Sequence, residues 1–278
     1  MKFEEIKRKF AINNSYFKNR RPQDPSTPLE CLEYLVEHGK LPYLTNCMIG
    51  DDIYAYSWVY ECFVEYQKRT AIKHEQFFTP IHVAEKMAEV FLKKTIYNNE
   101  KIHVTEPFCG YGQITHEMMN RLGKFFVDGL QFKSECFFKE YSAFDIDDDL
   151  VDFADMFASH YGKTRFDKLV DFYPEDFNDI KRGQITNTNV ISNPPYNIEL
   201  LTKFLTELRF WLKSYDEDES EKENIAVLLL PVGFVEKQTK AIKEAVSYYN
   251  IEIVEKIPPV FAHTKVHTEI VILTLKKA

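Results

Sequence analysis

The chain has 278 residues, is 45% hydrophobic and 15% aromatic, and carries a net charge of −8. That is enough apolar material for a sizeable core and excludes a disordered chain, while the acidity argues against a general nucleic-acid binder, which usually carries a basic excess. The longest uninterrupted apolar stretch, Ile225 to Pro231, is far too short to span a membrane. The segment from Lys2 onward is charged and has no signal-peptide core, so a cytoplasmic location is expected. Five cysteines, Cys31, Cys47, Cys62, Cys109 and Cys136, form no Cys-x-x-Cys pair. They read as reduced thiols, and neither a structural zinc nor a disulfide framework is expected.

Residues 1–75 read as a mostly helical, aromatic-rich extension serving recognition or an interface. Lys2, Lys7, Arg8, Lys9, Lys18, Arg20 and Arg21 face only Glu4 and Glu5 there. That basic segment suits a phosphate-contacting arm and equally a solvated helix end. Leu32, Leu35 and Val36 have helical spacing within Leu29 to His38. Further on, Ala55, Trp58, Val59, Cys62, Phe63 and Tyr66 step by three and four residues, as one face of a helix does. Such a stripe belongs to a core or an interface.

A second region, 76–278, alternates helical stretches with short β-branched runs. The expected strands are Ile102–Thr105, Tyr141–Phe144, Leu169–Phe172, Asn189–Ser192, Ile225–Leu230, Ile251–Glu255 and Ile270–Leu275. The expected helices are Thr79–Thr95, Ile114–Leu122, Asp148–Tyr161, Ile198–Leu212 and Val235–Tyr249. This alternation predicts an α/β fold, a mostly parallel seven-stranded sheet with helices on both faces. The last two strands are too close for a helical crossover, so they should close the sheet as an antiparallel hairpin. The acidic run Asp216 to Glu221 reads as a solvated loop.

Ligands in open α/β sheets bind at the carboxyl ends of the strands, and the unusual residues of this chain cluster there. Glu106-Pro107-Phe108-Cys109-Gly110-Tyr111-Gly112 follows the first strand. Glycines at 110 and 112 let a ligand approach the backbone where a helix starts. A dinucleotide fingerprint would need a third glycine at Thr115, and Glu106 would repel a pyrophosphate. An acid beside a glycine turn suits a cationic ligand instead. The second strand ends in Asp145-Ile146-Asp147, where a carboxylate can accept both hydroxyls of a ribose.

The fourth strand runs into Asn193-Pro194-Pro195-Tyr196. Two prolines with locked φ and no N–H make a rigid turn. It holds an amide side chain and unpaired carbonyls in fixed directions. If Asn193 Oδ1 and the Pro194 carbonyl both accept from an sp2 amine, they pull that nitrogen toward tetrahedral geometry. Its lone pair can then meet a methyl donor. This is catalysis by orientation and preorganised acceptors, without a strong base.

Phe77-Phe78-Thr79-Pro80, the glycine turn, Asp-Ile-Asp, Asp176-Phe177 and Asn-Pro-Pro-Tyr, in that order, resemble the amino-type DNA methyltransferases that make N6-methyladenine. The resemblance covers roughly residues 74–278 and is to the branch whose cofactor motif precedes the catalytic motif. It implies a Rossmann-like class I methyltransferase domain with S-adenosyl-L-methionine as cofactor and DNA as partner. It places Phe78, Thr79 and Pro80 beside the cofactor. Glu106 and Gly110 hold the methionine end, with Pro107 and Gly112 also binding the cofactor, and the family more often has Asp at position 106. Asp145 takes the ribose hydroxyls and Ile146 packs on the adenine. Asp176 accepts from the adenine amine and Phe177 covers that ring, with Asp171-Phe172 as a competing pair for this role. Asn193, Pro194 and Pro195 hold the target amine, and Tyr196 stacks on the target base. Phe261, in Val260 to Val266, supplies a second aromatic.

A target adenine would be flipped out of the duplex into this pocket. No metal is expected, since His263 and His267 lack an acidic third ligand. The region between Gly112 and Asn193 has no room for a recognition domain. Residues 1–75, a separate specificity subunit or a homodimer would supply specificity, unless the enzyme is loosely specific. Asn-Pro-Pro-Tyr alone is shared with ribosomal-RNA and release-factor glutamine methyltransferases, so RNA or a protein glutamine amide is the alternative substrate. A catalytically silent methyltransferase-like subunit is the third reading. Solitary enzymes, restriction–modification enzymes and phage protection enzymes share these motifs.

Overall fold

The computed structural model describes residues 77–95, 101–125, 137–148, 150–152, 154–155, 170–181, 183–213, 223–236, 239–261 and 265–277. The expectations for residues 1–75, the acidic run 216–221 and His263 lie outside them. The chain divides into two compact units, Met1–Ile81 and His82–Ala278.

The described elements are α1 (Ile81–Thr95), β1 (Ile102–Pro107), α2 (Gln113–Phe125), β2 (Phe138–Asp145), β3 (Val170–Pro174), β4 (Asn189–Ser192), α3 (Ile198–Trp211), β5 (Ile225–Pro231), α4 (Lys240–Val246), β6 (Tyr249–Ile257) and β7 (Thr268–Leu275). Residues 148, 150–152 and 154–155 are also helical. The strands form one seven-stranded sheet in the order β3-β2-β1-β4-β5-β7-β6. β1 through β5 run parallel, and β7 lies antiparallel between β5 and β6. The closing hairpin predicted from the short β6–β7 connection is therefore present. β7 turns back and inserts beside β5, which leaves β6 at the edge.

Burial explains the strand sequences. Central β5, Ile-Ala-Val-Leu-Leu-Leu-Pro, is buried from Ile225 to Leu230, as a strand covered on both faces must be. Edge strand β6 is buried only at Tyr249 and Ile257. On α3, Leu201, Phe204, Leu205, Leu208 and Trp211 recur at helical spacing and are all buried. They share a core cluster with Val190 of β4, Ala226, Leu228 and Leu230 of β5, and Val271 and Leu273 of β7. Each buried Leu, Val and Phe among them stabilises the fold by roughly 1.5–3 kcal/mol relative to exposure. At the foot of β4, Asn189 Oδ1 accepts from Ile225 N at 3.0 Å and its Nδ2 donates to Asn224 Oδ1 at 3.2 Å.

The α4 helix is shorter than the sequence suggests. Residues 232–236 form turns instead, with Gly233 at φ 70°, and β6 already begins at Tyr249. The periodic apolar residues there serve that turn and the strand as well as the helix. From β1 the chain winds outward to β2 and β3, then crosses back to β4 and winds the other way. The reversal leaves a crevice at the carboxyl ends of β1 and β4, where open α/β sheets bind ligands.

Candidate active site

Two turns flank that crevice. The first leaves β1 at Pro107. Phe108 has φ 59°, Gly110 φ 55° and Gly112 φ 80°. Left-handed backbone is routine for glycine but strained for a phenylalanine. A Cβ on Gly112 would stand 3.3 Å from Ala154 Cβ and 3.4 Å from the Phe172 ring. The turn is pinned by backbone bonds from Cys109 N to the Phe144 carbonyl and from Gly112 N to the Cys109 carbonyl, both 3.0 Å.

Asp145, at the end of β2, supports the same turn. Its Oδ2 accepts from Gly110 N at 2.9 Å and its Oδ1 from Asp147 N at 3.0 Å. Burial raises its pKa, and those two backbone donors oppose the rise. The Ile146 backbone N–H adds to them, and the carboxylate keeps room for a further donor. Ile146 beside it is an apolar side chain that is 42% exposed.

Glu106 is only 1% exposed. Its Oε2 accepts from Thr115 Oγ1 at 2.6 Å, in the first turn of α2, and from Tyr141 OH at 2.5 Å, on β2. Its Oε1 has no hydrogen-bond partner among the described residues. Burial pushes its pKa up to about 7, against the hydrogen bonds of Thr115 and Tyr141 and with the added push of Asp145.

The second turn joins β4 to α3. Asn193 is buried, and its Oδ1 accepts from the Tyr196 hydroxyl at 2.9 Å. Asn197 caps α3 by accepting from Glu199 N at 3.0 Å and Leu200 N at 3.1 Å. The Pro-Pro-Tyr segment is thus tied down on both sides. The Tyr196 ring meets buried Phe261 edge to face, with centroids 6.1 Å apart. Burial drives the Tyr196 phenol well above its ordinary pKa, so it stays a neutral donor. The structure therefore brings Asn193, Tyr196 and Phe261 together from two distant segments.

Sequence reasoning missed Ser192. Its hydroxyl donates to the Pro107 carbonyl at 2.6 Å, joining the foot of one turn to the foot of the other. Phe108 was also missed as a backbone outlier. Neither carries a local signal, because one bond spans 85 positions and the other feature is a dihedral imposed by packing.

Asp176 and Phe177 lie past the carboxyl end of β3, whereas Asp171 and Phe172 sit within the strand, paired with Ser142 and Ala143. Asp176 Oδ1 accepts from Asn178 N at 2.8 Å and Asn178 Nδ2 at 3.0 Å. Phe177 is buried among Phe108, Phe204 and Trp211, with ring centroids 5.5, 5.7 and 6.0 Å away. Phe78, Thr79 and Pro80 are buried in the extended segment before α1, within the unit that ends at Ile81. Among the described residues, no group of three or more His, Cys, Asp or Glu could hold a metal, and no helix is long and apolar enough to cross a membrane.

No family model matches the chain, and no curated protein matches it. Solved structures do. The modification subunit of a type I restriction enzyme from Vibrio vulnificus superposes with a TM-score of 0.58 at 16% identity, over 81% of this chain and 50% of that one. A protein described as a class I S-adenosylmethionine-dependent methyltransferase from Listeria monocytogenes gives 0.56 at 16% identity, over 79% and 67%. The type I restriction–modification methyltransferase subunit from Streptococcus thermophilus gives 0.50 at 15% identity, over 80% and 49%. The chain spans about half the length of the two restriction subunits. At these identities the likeness is one of fold.

Proposed function

We propose that this chain transfers a methyl group from S-adenosyl-L-methionine to the N6 amine of adenine in DNA. The observation that carries the reading is the meeting of Asn193, Tyr196 and Phe261 beside the glycine turn, at the switch point of a class I methyltransferase sheet.

The residues of the first turn fit the cofactor. The buried Oε1 of Glu106, without a partner among the described residues, is an acceptor for a cationic methionine end. Asp145 has acceptor capacity left for a ribose hydroxyl, and exposed Ile146 offers an apolar surface to an adenine. Bound there, the cofactor supplies an electrophilic methyl group.

The second turn handles the target. Asn193 Oδ1 and the Pro194 carbonyl accept the two N–H bonds of the amine and aim its lone pair. Tyr196 withdraws its hydroxyl from Asn193 as the base arrives. Its ring and that of Phe261 part from their edge contact to flank the base. Each aromatic then contributes roughly 1–3 kcal/mol toward the cost of unstacking. The likeness to type I modification subunits supports DNA as the substrate, with a separate subunit or a second copy to supply specificity.

The test is transfer of labelled methyl to unmethylated DNA, with RNA and a release-factor protein in parallel, read by nucleoside and peptide mass spectrometry. N6-methyldeoxyadenosine is expected. Label only in RNA or in a glutamine amide would replace the substrate, and cofactor binding without transfer to any of them would point to a silent subunit. In the active protein, Asn193→Ala should abolish transfer and leave cofactor affinity within about twofold, because Asn193 contacts the target and not the donor. Normal methylation by that variant would refute the role of the turn.

A further inference from the structure

Glu106 presents a problem that its structural role leaves unsolved. Oε2 takes the Thr115 hydroxyl and the Tyr141 phenol and so ties β1 to α2 and β2, and the Thr115 backbone N–H adds to their pull toward the ionised carboxylate. The other, Oε1, is buried with no hydrogen-bond partner among the described residues. A buried polar atom without a partner is uncommon in native proteins and calls for an occupant.

The surroundings make a lasting negative charge costly. Asp145 and Tyr141 face it from β2, Cys109 from the glycine turn, and Thr115 from α2. None of these is a cation. Asp145 adds repulsion, and a charged carboxylate in a dry site tends to bind a proton instead. Meanwhile Glu106 sits at the end of β1, directly before the glycine turn, where the cofactor reading puts an α-ammonium and a sulfonium.

We propose that Glu106 is a proton switch: without the cofactor its carboxyl holds a proton in a large share of the molecules at neutral pH, and it releases that proton to solvent when a cationic cofactor settles against Oε1. The inference rests on the cofactor reading above. It makes binding couple one charge gained to one proton lost. On the acid side of neutrality the buried acid then stays neutral without a ligand and becomes a full counter-ion with one. The burial-raised pKa of about 7 places this exchange in the neutral range.

Calorimetric titration of the full chain with S-adenosylmethionine tests this. It is run from mildly acidic to mildly alkaline pH in phosphate and in Tris, whose ionisation enthalpies differ. At neutral pH about half a proton should leave per cofactor bound, and affinity should fall toward tenfold per pH unit on the acid side. Glu106→Gln should bind more weakly and lose the release, while the ligand's own amine titrates equally in both proteins. Tyr141→Phe removes a donor to Oε2, so the midpoint should move to higher pH. Binding with no difference between the two buffers, or release that persists in Glu106→Gln, would overturn the switch. An absence of binding at every pH would overturn the cofactor reading instead.

Discussion

Asn193 and Tyr196 hold each other through one hydrogen bond of 2.9 Å, yet they carry different parts of the proposed reaction. The amide receives the amine; the ring receives the base. The two parts separate by mutation. Tyr196→Phe keeps the ring and deletes only the hydroxyl, so methyl transfer should stay within about tenfold of the parent. Tyr196→Ala also deletes the stacking surface, which should cost about 1–3 kcal/mol in kcat/KM for DNA, or roughly 5- to 150-fold. Single-turnover methylation with both variants checks this, and equal losses would mean that the hydroxyl is what matters. Both residues stand out in the sequence because consecutive prolines make the local geometry rigid whatever surrounds them. Ser192 and Phe108 do not stand out: a serine at a strand end and a phenylalanine after a proline look ordinary until the partner strand is in place.

At the scale of elements, the glycine turn is a strand-to-helix joint with little spare room. Gly112→Ala would hold an alanine at φ 80° and press its Cβ to 3.3 Å from Ala154. The left-handed strain alone should cost about 1–2 kcal/mol of stability, measurable by urea denaturation. Cofactor affinity should fall by about tenfold or more as the turn shifts. Unchanged stability would mean that the turn relaxes at no cost. The strands themselves were legible, because runs such as Ile225 to Leu230 and Ile270 to Leu273 combine β-branching with continuous apolarity. The α4 boundary was not, because Val235 and Phe234 fit a helical period as well as they fit the turn they occupy.

For the whole molecule, the buried carboxyl of Glu106 links folding to pH. Its pKa rises from an ordinary 4.5 to about 7 on folding, so the folded state binds more protons than the unfolded chain between those values. Its contribution to stability is therefore full below pH 4.5, declines as pH rises to about 7, and is flat above. At 1.36 kcal/mol per pKa unit, the decline amounts to a few kcal/mol. Denaturation at mildly acidic and mildly alkaline pH should show Glu106→Gln losing less stability over that range than the parent. Equal pH profiles would mean that Glu106 is ionised in the folded protein throughout.

What the amino-acid sequence determined by itself is the set of elements and the residue types at their ends. Periodicity, proline and glycine act over a few residues, so the alternation of strands and helices, the closing hairpin and the Asn-Pro-Pro-Tyr turn need no distant partner. Only the tertiary structure decided which ends meet. The reversal of winding between β1 and β4, the bond from Ser192 to Pro107, the meeting of Tyr196 with Phe261 and the Glu106 oxygen without a partner among the described residues all depend on contacts between segments far apart in the chain. Those contacts form only when the apolar faces of the sheet are buried, and no local pattern encodes them.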